Sequence, residues 1–323
     1  KSDPSSKFVY AISEDSAAAS PKAYLLEIDS VTEQITRVLQ VGSSVTDLAL
    51  HNADGRIYVP NWMPGALRAI DKTTFTLART YAFNPYQGTG YGQGDVYRVA
   101  AGGAGRLVIE EQDQWIDINI FNTTSGSSIA TTFQRQGGGA FDPTGRYYYH
   151  GDDNISNAEV RKFDTTGDVF TALSHIRVSS NNYYGSRVVI VSESGNAVFW
   201  NGSHFNADLV EQWSMAKEVY STTPDGRYAF GETQIFDTVG KQQVLGMPAT
   251  TRISAFNSTS SKFMAQVGQK IAFFPMASPL SLPAPVLSAG TPTYNSVPLV
   301  WQDRSLEMGF TLQYRIQGAA SWT

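Results

Sequence analysis

One short turn recurs along most of the chain and constrains its fold more than any other feature. In residues 141–150, "FDPTGRYYYH", an Asp and a Gly form the turn, and aromatic residues then begin a strand. Gly accepts the positive φ of a hairpin turn, whereas β-branched and aromatic side chains favour strands. Related stretches are "SDPSSKFVYAI" (2–12), "NADGRIYVP" (52–60), "GGAGRLVIE" (102–110), "SESGNAVFW" (192–200), "TPDGRYAFG" (223–231) and "NSTSSKFMAQ" (257–266). Their separation, about 30 to 50 residues, matches the period of a four-stranded propeller blade.

A second turn follows the first in most of these units, and an Asp or Asn side chain caps the backbone there as the strand reverses. The pairs are Ile28-Asp29, Ile70-Asp71, Phe121-Asn122, Phe163-Asp164 and Phe236-Asp237. The two turns define a unit of strand a, Gly turn, strand b, variable loop, strand c, Asx turn and strand d. Four antiparallel strands cannot bury both of their faces alone, but units arranged radially cover one another. The sequence therefore predicts an all-β fold with a seven-bladed β-propeller.

Two blades depart from the pattern. The fifth, "NAVFWNGSHFNADLVEQWSM", has no clear Asx turn. The chain also begins inside the first turn, so we expect the inner strand of blade one to lie upstream of Lys1, to come from another segment, or to be absent. Sequence alone leaves the closure of the ring open.

The pairing of a "PDGR" turn with a later "IDxxT" turn resembles the YVTN-type and WD40-like seven-bladed propellers of bacterial and archaeal surface proteins. The resemblance covers residues 1–276. Residues 277–284 then form a Pro-rich linker, in which each proline biases its predecessor away from helix. Residues 285–323 are similar to the start of a fibronectin type III domain, with Trp301 on its second strand and Tyr314 and Trp322 on its third. Such a sandwich needs about 90 to 100 residues, so we expect the chain to continue past Thr323.

Composition excludes several classes of function. Only 16% of the residues are charged and the net charge is −5, so no basic field attracts nucleic acid. No apolar run approaches the roughly 20 residues of a membrane span. The chain has no cysteine, which excludes disulfides, thiolate metal sites and a Cys nucleophile.

Strand order decides which connections share a face of the propeller. The a–b and c–d turns project from one side, here called the turn face, and the b–c loops and inter-blade connections project from the other, the loop face. The longer segments on the loop face, among them an expected irregular loop over 200–208, are rich in aromatic and amide side chains that suit a sugar ring or a peptide. Any of these aromatic residues can instead pack between blades. The predicted ligand-binding residues are Trp62, Tyr86, Tyr91, Trp115, Tyr183, Tyr184 and Trp200.

Two further groups of polar residues are candidates for chemistry. Carboxylate and amide oxygens in "DDNISNAE" superficially resemble a calcium loop without its invariant glycine, and solvated loop charge is the alternative. The calcium candidates are Asp152, Asp153, Asn154 and Glu159, and no other cofactor is expected. The four histidines lack zinc-site spacing. His204 near Trp200 is a candidate general base, with Tyr183 or Tyr184 as acid, of the kind a polysaccharide lyase uses.

The sequence thus favours a non-enzymatic secreted or cell-surface module for adhesion or scaffolding. Its expected partner is a polysaccharide, a surface protein, or a second copy of the chain that fills the open edge of blade one. The alternative is an extracellular polysaccharide-active enzyme, a lyase or hydrolase, with its active site on the propeller face.

Overall fold

A computed structural model describes residues 1–15, 21–62, 65–83, 95–103, 105–152, 158–177, 188–215, 217–248, 251–268, 270–276, 286–291, 293 and 298–302. These residues form 28 β-strands in eight sheets. No helix in the described part of the chain has the length and hydropathy to cross a membrane.

Seven sheets follow one another along the chain as blades 1 to 7. Blades 1 to 3 contain β1 (Phe8–Asp15), β2 (Lys22–Asp29), β3 (Gln34–Gly42); β4 (Ala49–His51), β5 (Arg56–Asn61), β6 (Ala66–Asp71), β7 (Thr76–Ala82); and β8 (Arg98–Ala101), β9 (Arg106–Glu110), β10 (Trp115–Asn122), β11 (Ser127–Arg135). Blades 4 and 5 contain β12 (Gly137–Phe141), β13 (Tyr147–Asp152), β14 (Glu159–Asp164), β15 (Thr171–Arg177); and β16 (Ile190–Val191), β17 (Val198–Trp200), β18 (Ser203–Phe205), β19 (Glu211–Ser214). Blades 6 and 7 contain β20 (Val219–Thr222), β21 (Tyr228–Gly231), β22 (Gln234–Asp237), β23 (Gln242–Gly246); and β24 (Thr251–Asn257), β25 (Lys262–Val267), β26 (Lys270–Pro275).

The strands of every blade are antiparallel and lie in chain order, and the inner strands of successive blades are neighbours. The chain is therefore a seven-bladed β-propeller, as the repeats predict. In blades 2 to 7 the Gly-type turn joins the first described strand to the second, and in blade 1 it precedes β1. The five predicted Asx turns each follow strand c of a blade, which is β2 in blade 1 and the third strand in blades 2, 3, 4 and 6. Asp71 Oδ1, for example, accepts the backbone N–H groups of Thr73 and Thr74, both at 2.9 Å.

Blade 5 differs from its sequence prediction. It has an Asx turn at Asn206, whose side-chain oxygen accepts the N–H groups of Asp208 at 3.0 Å and Val210 at 2.9 Å. The expected irregular loop over 200–208 is instead a two-residue turn at Asn201 and Gly202, both with positive φ, between β17 and β18. The sequence pattern does not predict the Asx turn at Asn206 because these strands have only three residues each, which shortens the usual spacing between turns.

The hydrophobic core lies between the blades. On β13, Tyr148 packs toward blade 3 against Val108 and Ile118, and Tyr149 packs toward blade 5 against Val198. Successive side chains of a strand point to opposite faces, and both faces are buried here, so each face carries a large aromatic side chain. Burial of each large side chain contributes about 1.5 to 3 kcal/mol.

Blade 1 packs directly against blade 7 and closes the ring. Val9 and Ile28 share a buried cluster with Ala255, Met264 and Phe273 of blade 7. This contact buries the two faces that an open row of blades would leave in water. Ring closure, which the sequence left open, is thus achieved by face packing.

A buried asparagine joins the two blades at the turn face. The Asn257 amide donates to Ser2 Oγ at 3.0 Å and to the carbonyl of Ser6 at 2.9 Å, and its oxygen accepts from Ser30 Oγ at 3.2 Å. Asn257 is 1% exposed, so its side-chain amide depends on these partners for hydrogen bonds that water cannot replace.

The first two residues of the chain pair with the inner edge of β1. Ser2 forms a bridge with Val9, and Lys1 and Tyr10 exchange backbone hydrogen bonds of 2.7 and 2.8 Å. Blade 7 has three described strands, with β26 at its outer edge.

The eighth sheet is a hairpin of β27 (Val286–Ala289) and β28 (Leu299–Gln302), in which Leu287 faces Trp301 in the register. Trp301 lies on the second of these strands. Tyr314 and Trp322 lie outside the described residues.

Replacing Asn257 by alanine should weaken ring closure. The variant loses the inter-blade hydrogen bonds to Ser2, Ser6 and Ser30, so we expect the free energy of unfolding to fall by about 2 to 3 kcal/mol. Urea denaturation measures the change. Asn122→Ala is the matched control because Asn122 caps a turn within blade 3; it should cost about 1 kcal/mol. Equal losses in the two variants would contradict a special role for Asn257.

Candidate binding site at the propeller axis

A cavity of about 710 Å³ opens on the loop face at the propeller axis. Its walls come from segments that begin the inner strands of several blades, including residues 45–48, 188–190, 218–220 and 252–254. These segments lie together because every inner strand starts at the loop face, so seven strand starts surround the axis.

The cavity borders the inner side of blade 1. On one side its apolar wall consists of residues from the core between blades 1 and 2, namely Ile12, Val45 and Leu48. On the other side the wall consists of Leu26 and Met264, from the core between blades 7 and 1, and of Ile253, from the core between blades 6 and 7. The ends of these inter-blade cores are therefore accessible from the cavity.

Charges around the cavity are largely paired with one another. Arg252 Nε lies 3.0 Å from Glu232 Oε1, and Lys1 Nζ lies 3.5 Å from Asp47 Oδ1. The Tyr220 hydroxyl donates to Glu218 at 2.9 Å, and burial together with that carboxylate raises the pKa of Tyr220 above its usual range. Pairing leaves little net field, which suits a neutral or mixed-charge ligand better than a phosphate.

Behind Arg98, which lines the cavity, a buried polar cluster lies between blades 3 and 4. Glu110 Oε1 accepts from the Tyr148 hydroxyl and lies 3.2 Å from His150 Nδ1, while His150 Nε2 lies 3.0 Å from the carbonyl of Arg135. Burial disfavours both charged forms, but their mutual attraction and these hydrogen bonds raise the pKa of His150 and lower the pKa of Glu110. The imidazolium–carboxylate pair is thus the favoured state.

The inner strand of blade 4 makes room for this cluster with a run of glycines, residues 137–139. A Cβ on Gly139 would lie 2.2 Å from the Tyr148 hydroxyl oxygen, and one on Gly137 would lie 2.9 Å from His150 Cε1. The glycines allow the phenol and imidazole to lie close to the inner strand. The cluster is fully buried and acts as part of the core.

The described aromatic candidates do not gather around the axis. Trp62, half-buried at the end of β5, donates its indole N–H to Asp95 and packs edge-on against Tyr97, with ring centroids 6.4 Å apart. Trp115 stacks on Phe133 at 5.5 Å beside the Arg135 guanidinium on the flank of blade 3. Each of the two remains partly accessible.

Trp200 does not belong to a surface site. It is 1% exposed in the core between blades 4 and 5, where its indole lies over Gly151, and a Cβ on that glycine would be 2.2 Å from the indole nitrogen. Tyr86, Tyr91, Tyr183 and Tyr184 lie outside the described residues.

Two of the calcium candidates are described, and neither is free to coordinate an ion. Asp152 accepts the backbone N–H of Glu159 at 3.1 Å, and burial raises its pKa. The Glu159 carboxylate pairs with Arg161 at 2.6 Å and with Arg177 at 2.5 Å. Asp153 and Asn154 lie outside the described residues, among which no three potential ligands converge as a metal site requires.

His204 lies on β18, on a strand where a loop was expected. Its ring stacks on Phe199 with centroids 4.8 Å apart, and burial lowers its pKa. This packing, on the side of blade 5 that faces blade 6, directs the imidazole to a core contact, and His204 does not line the axial cavity.

Sequence reasoning did not identify the residues that line the cavity, such as Tyr10, Tyr220 and Ser254. The inner strands carry no repeated motif of their own, and the two turn motifs mark only where those strands end. Aligning the residues before each Gly-type turn would have placed these segments at the axis.

No protein-family model matches the chain, and no curated protein matches its sequence. Solved structures do match. Kuenenia stuttgartiensis hydrazine synthase has 11% identity and a TM-score of 0.61 over 82% of this chain and 95% of the other. The Dos1 propeller has 13% identity and a TM-score of 0.58 over 82% and 74%. The Myceliophteria thermophila Cps50 (Swd1) β-propeller domain has 10% identity and a TM-score of 0.64 over 86% and 95%. At these identities the likeness establishes the propeller fold alone.

The buried Glu110–His150 pair should make stability depend on pH. Because the folded state raises the pKa of His150, the stabilisation is complete below the unfolded-state pKa, about 6.5, and is lost as pH rises through the folded-state value. We expect the free energy of unfolding to decrease as the pH rises above about 6.5, and to decrease by more in the wild type than in His150→Gln. Urea denaturation at a series of pH values above this point measures the difference, with the exposed His175→Gln as control. Parallel profiles for the wild type and His150→Gln would contradict the charged pair.

Proposed function

We propose that the chain is a non-enzymatic binding and scaffold module whose axial cavity and surrounding loop face hold a polymeric partner, a polypeptide or a polysaccharide. The single observation that carries this proposal is the cavity of about 710 Å³, which combines apolar walls with paired charges. Concave, mostly apolar sites with a few polar groups are typical of ligand-binding pockets.

The partly accessible aromatic residues support a broad contact surface around the cavity. Trp62 and Trp115 lie on the loop-face ends of neighbouring blades 2 and 3. Their rings offer flat apolar surfaces beside polar groups, Asp95 for Trp62 and Arg135 for Trp115, a combination that suits sugar rings and peptides. A partner that extends from the axis over these blades would contact both.

The proposal includes the secreted or cell-surface setting expected from the sequence. It is supported by the resemblance of the turns to those of YVTN-type and WD40-like surface propellers. The hairpin of β27 and β28 adds support because its strand order fits the start of a fibronectin type III domain. We do not propose the enzyme alternative, because His204 packs on Phe199 away from the cavity.

A bulky residue in the cavity should block binding. Ser254 lines the cavity and is exposed, so Ser254→Trp should fill it without disturbing the core. We expect the affinity for any peptide or neutral polysaccharide that binds the wild type to fall at least about 10-fold. Biolayer interferometry against immobilised panels measures the affinity, and mass spectrometry of the recovered partner checks that it is unchanged.

Ser125→Trp is the matched control because Ser125 is exposed on the turn face. It should bind as the wild type does. Cleavage of the bound polymer by the wild type, or equal binding by Ser254→Trp, would overturn the proposal.

A further inference from the structure

Two aromatic rings and a guanidinium are stacked at the loop-face end of the outer strands of blade 3. Trp115 begins β10, and Phe133 and Arg135 lie at the end of β11, where Arg135 is opposite Trp115 in the register. The planes of the two rings differ by 12°, and the guanidinium carbon lies 4.8 Å from the Trp115 ring centroid. Cross-strand neighbours of this kind hold one another in place. The three side chains form a single surface, here called the blade 3 platform.

Alternation along β10 places the platform on the side of blade 3 that faces blade 2. Ile118 packs toward blade 4, whereas Phe121 packs against Tyr81 of blade 2 with ring centroids 5.3 Å apart. Side chains an even number of residues apart on a strand share a face, so Trp115 lies on the same side as Phe121. The core covers Phe121, which is 1% exposed, but it does not cover the platform, where Phe133 is 41% exposed.

Exposure of an aromatic ring to this extent is uncommon in the molecule. Among the described aromatic side chains only Tyr220, which lines the axial cavity, is comparably exposed, at 42%. The face of an aromatic ring carries partial negative charge and attracts the weakly positive hydrogens of C–H groups. The platform therefore offers a flat apolar surface to a ligand with C–H groups on one face.

Arg135 gives the platform a positive charge that no described carboxylate neutralises at ion-pair distance. Asp117 is opposite Phe133 in the register, but it is 1% exposed and does not lie at the surface of the platform. A guanidinium that stacks on a ring through its face keeps the N–H groups of its edge available, and these match the two oxygens of a carboxylate. The platform thus combines an apolar ring with a site for one carboxylate.

We propose that the blade 3 platform binds a uronic acid residue of a polysaccharide, whose ring packs on Phe133 and whose carboxylate pairs with Arg135. The inference rests on the proposed binding function and names the class of partner. Residues two apart on a strand are separated by about 7 Å, so one sugar residue can contact both side chains.

The charge of the chain indicates how many uronates the polysaccharide carries. The platform has one guanidinium and the net charge of the chain is −5, so a dense polyanion is repelled as a whole. Isolated uronates on a neutral backbone avoid this repulsion. Such a polymer also suits the axial cavity, whose charges are paired with one another.

A uronate suits the platform better than an acidic peptide does. It carries its apolar C–H face and its carboxylate on one rigid ring. An acidic peptide carries the corresponding groups on separate flexible side chains, which lose more conformational entropy when they bind.

Two forms of one polysaccharide test the proposal. The probe is glucuronoxylan, a neutral xylan with isolated glucuronic acid side groups, and the control is the same polymer with its carboxyl groups reduced to hydroxymethyl groups. We expect the wild type to bind the native polymer at least about 10-fold more tightly than the reduced one in biolayer interferometry. Added NaCl should diminish this difference because the interaction is partly between exposed charges.

Substitutions on the platform provide the matching changes on the protein. Arg135→Gln should lose at least about 10-fold in affinity for the native polymer and bind the reduced polymer as the wild type does. Phe133→Ala should weaken binding of both polymers, because both contain the sugar ring. Arg79→Gln is the matched control, since the exposed Arg79 also lies over an aromatic ring, at 4.4 Å, but that ring belongs to the buried Tyr81. Near-UV circular dichroism verifies that all three variants are folded.

Several results would overturn the inference. These are absence of binding to the native polymer, equal affinity of the wild type for the two polymers, and equal losses in Arg135→Gln and Arg79→Gln. Tighter binding of a Glu–Tyr copolymer than of glucuronoxylan would assign the platform to a polypeptide and would also overturn it. If Ser254→Trp blocks a partner that Arg135→Gln still binds, the proposed function stands and this inference fails. If only the platform variants lose glucuronoxylan, this inference stands and the role of the axial cavity fails.

Discussion

Mutual coverage of apolar blade faces is the interaction on which the rest of the structure depends. A blade such as the fourth directs Tyr148 to one neighbour and Tyr149 to the other, and neither face would be stable in water. Each face therefore requires another blade, and only a closed ring leaves none uncovered. Packing of Val9 and Met264 supplies the last such contact, and the buried Asn257 fixes its register by hydrogen bonds to blade 1.

This interaction explains how much of the fold could be predicted from sequence. The Gly-type and Asx turns depend on local backbone requirements, so residues such as Gly145 and Asp71 reveal them without any knowledge of neighbours. Blade 5 departs from the prediction because its strands are short, so the Asx turn at Asn206 lies closer to the preceding turn than the repeated spacing predicts. The predicted number of blades is unaffected because the Gly-type turn alone identifies each unit.

The site was predicted less well because burial depends on neighbouring blades. Trp62 and Trp200 lie at the ends of equivalent strands of their blades and are alike in sequence. Trp62 is half-buried near the loop face, whereas Trp200 lies over Gly151 of blade 4. Gly151, which leaves room for the Trp200 indole, is about 50 residues away in sequence, and turn patterns do not predict contacts over such a separation. The residues of the cavity wall are also distant in sequence, since Ile12 and Ile253 line the same cavity only because the ring closes.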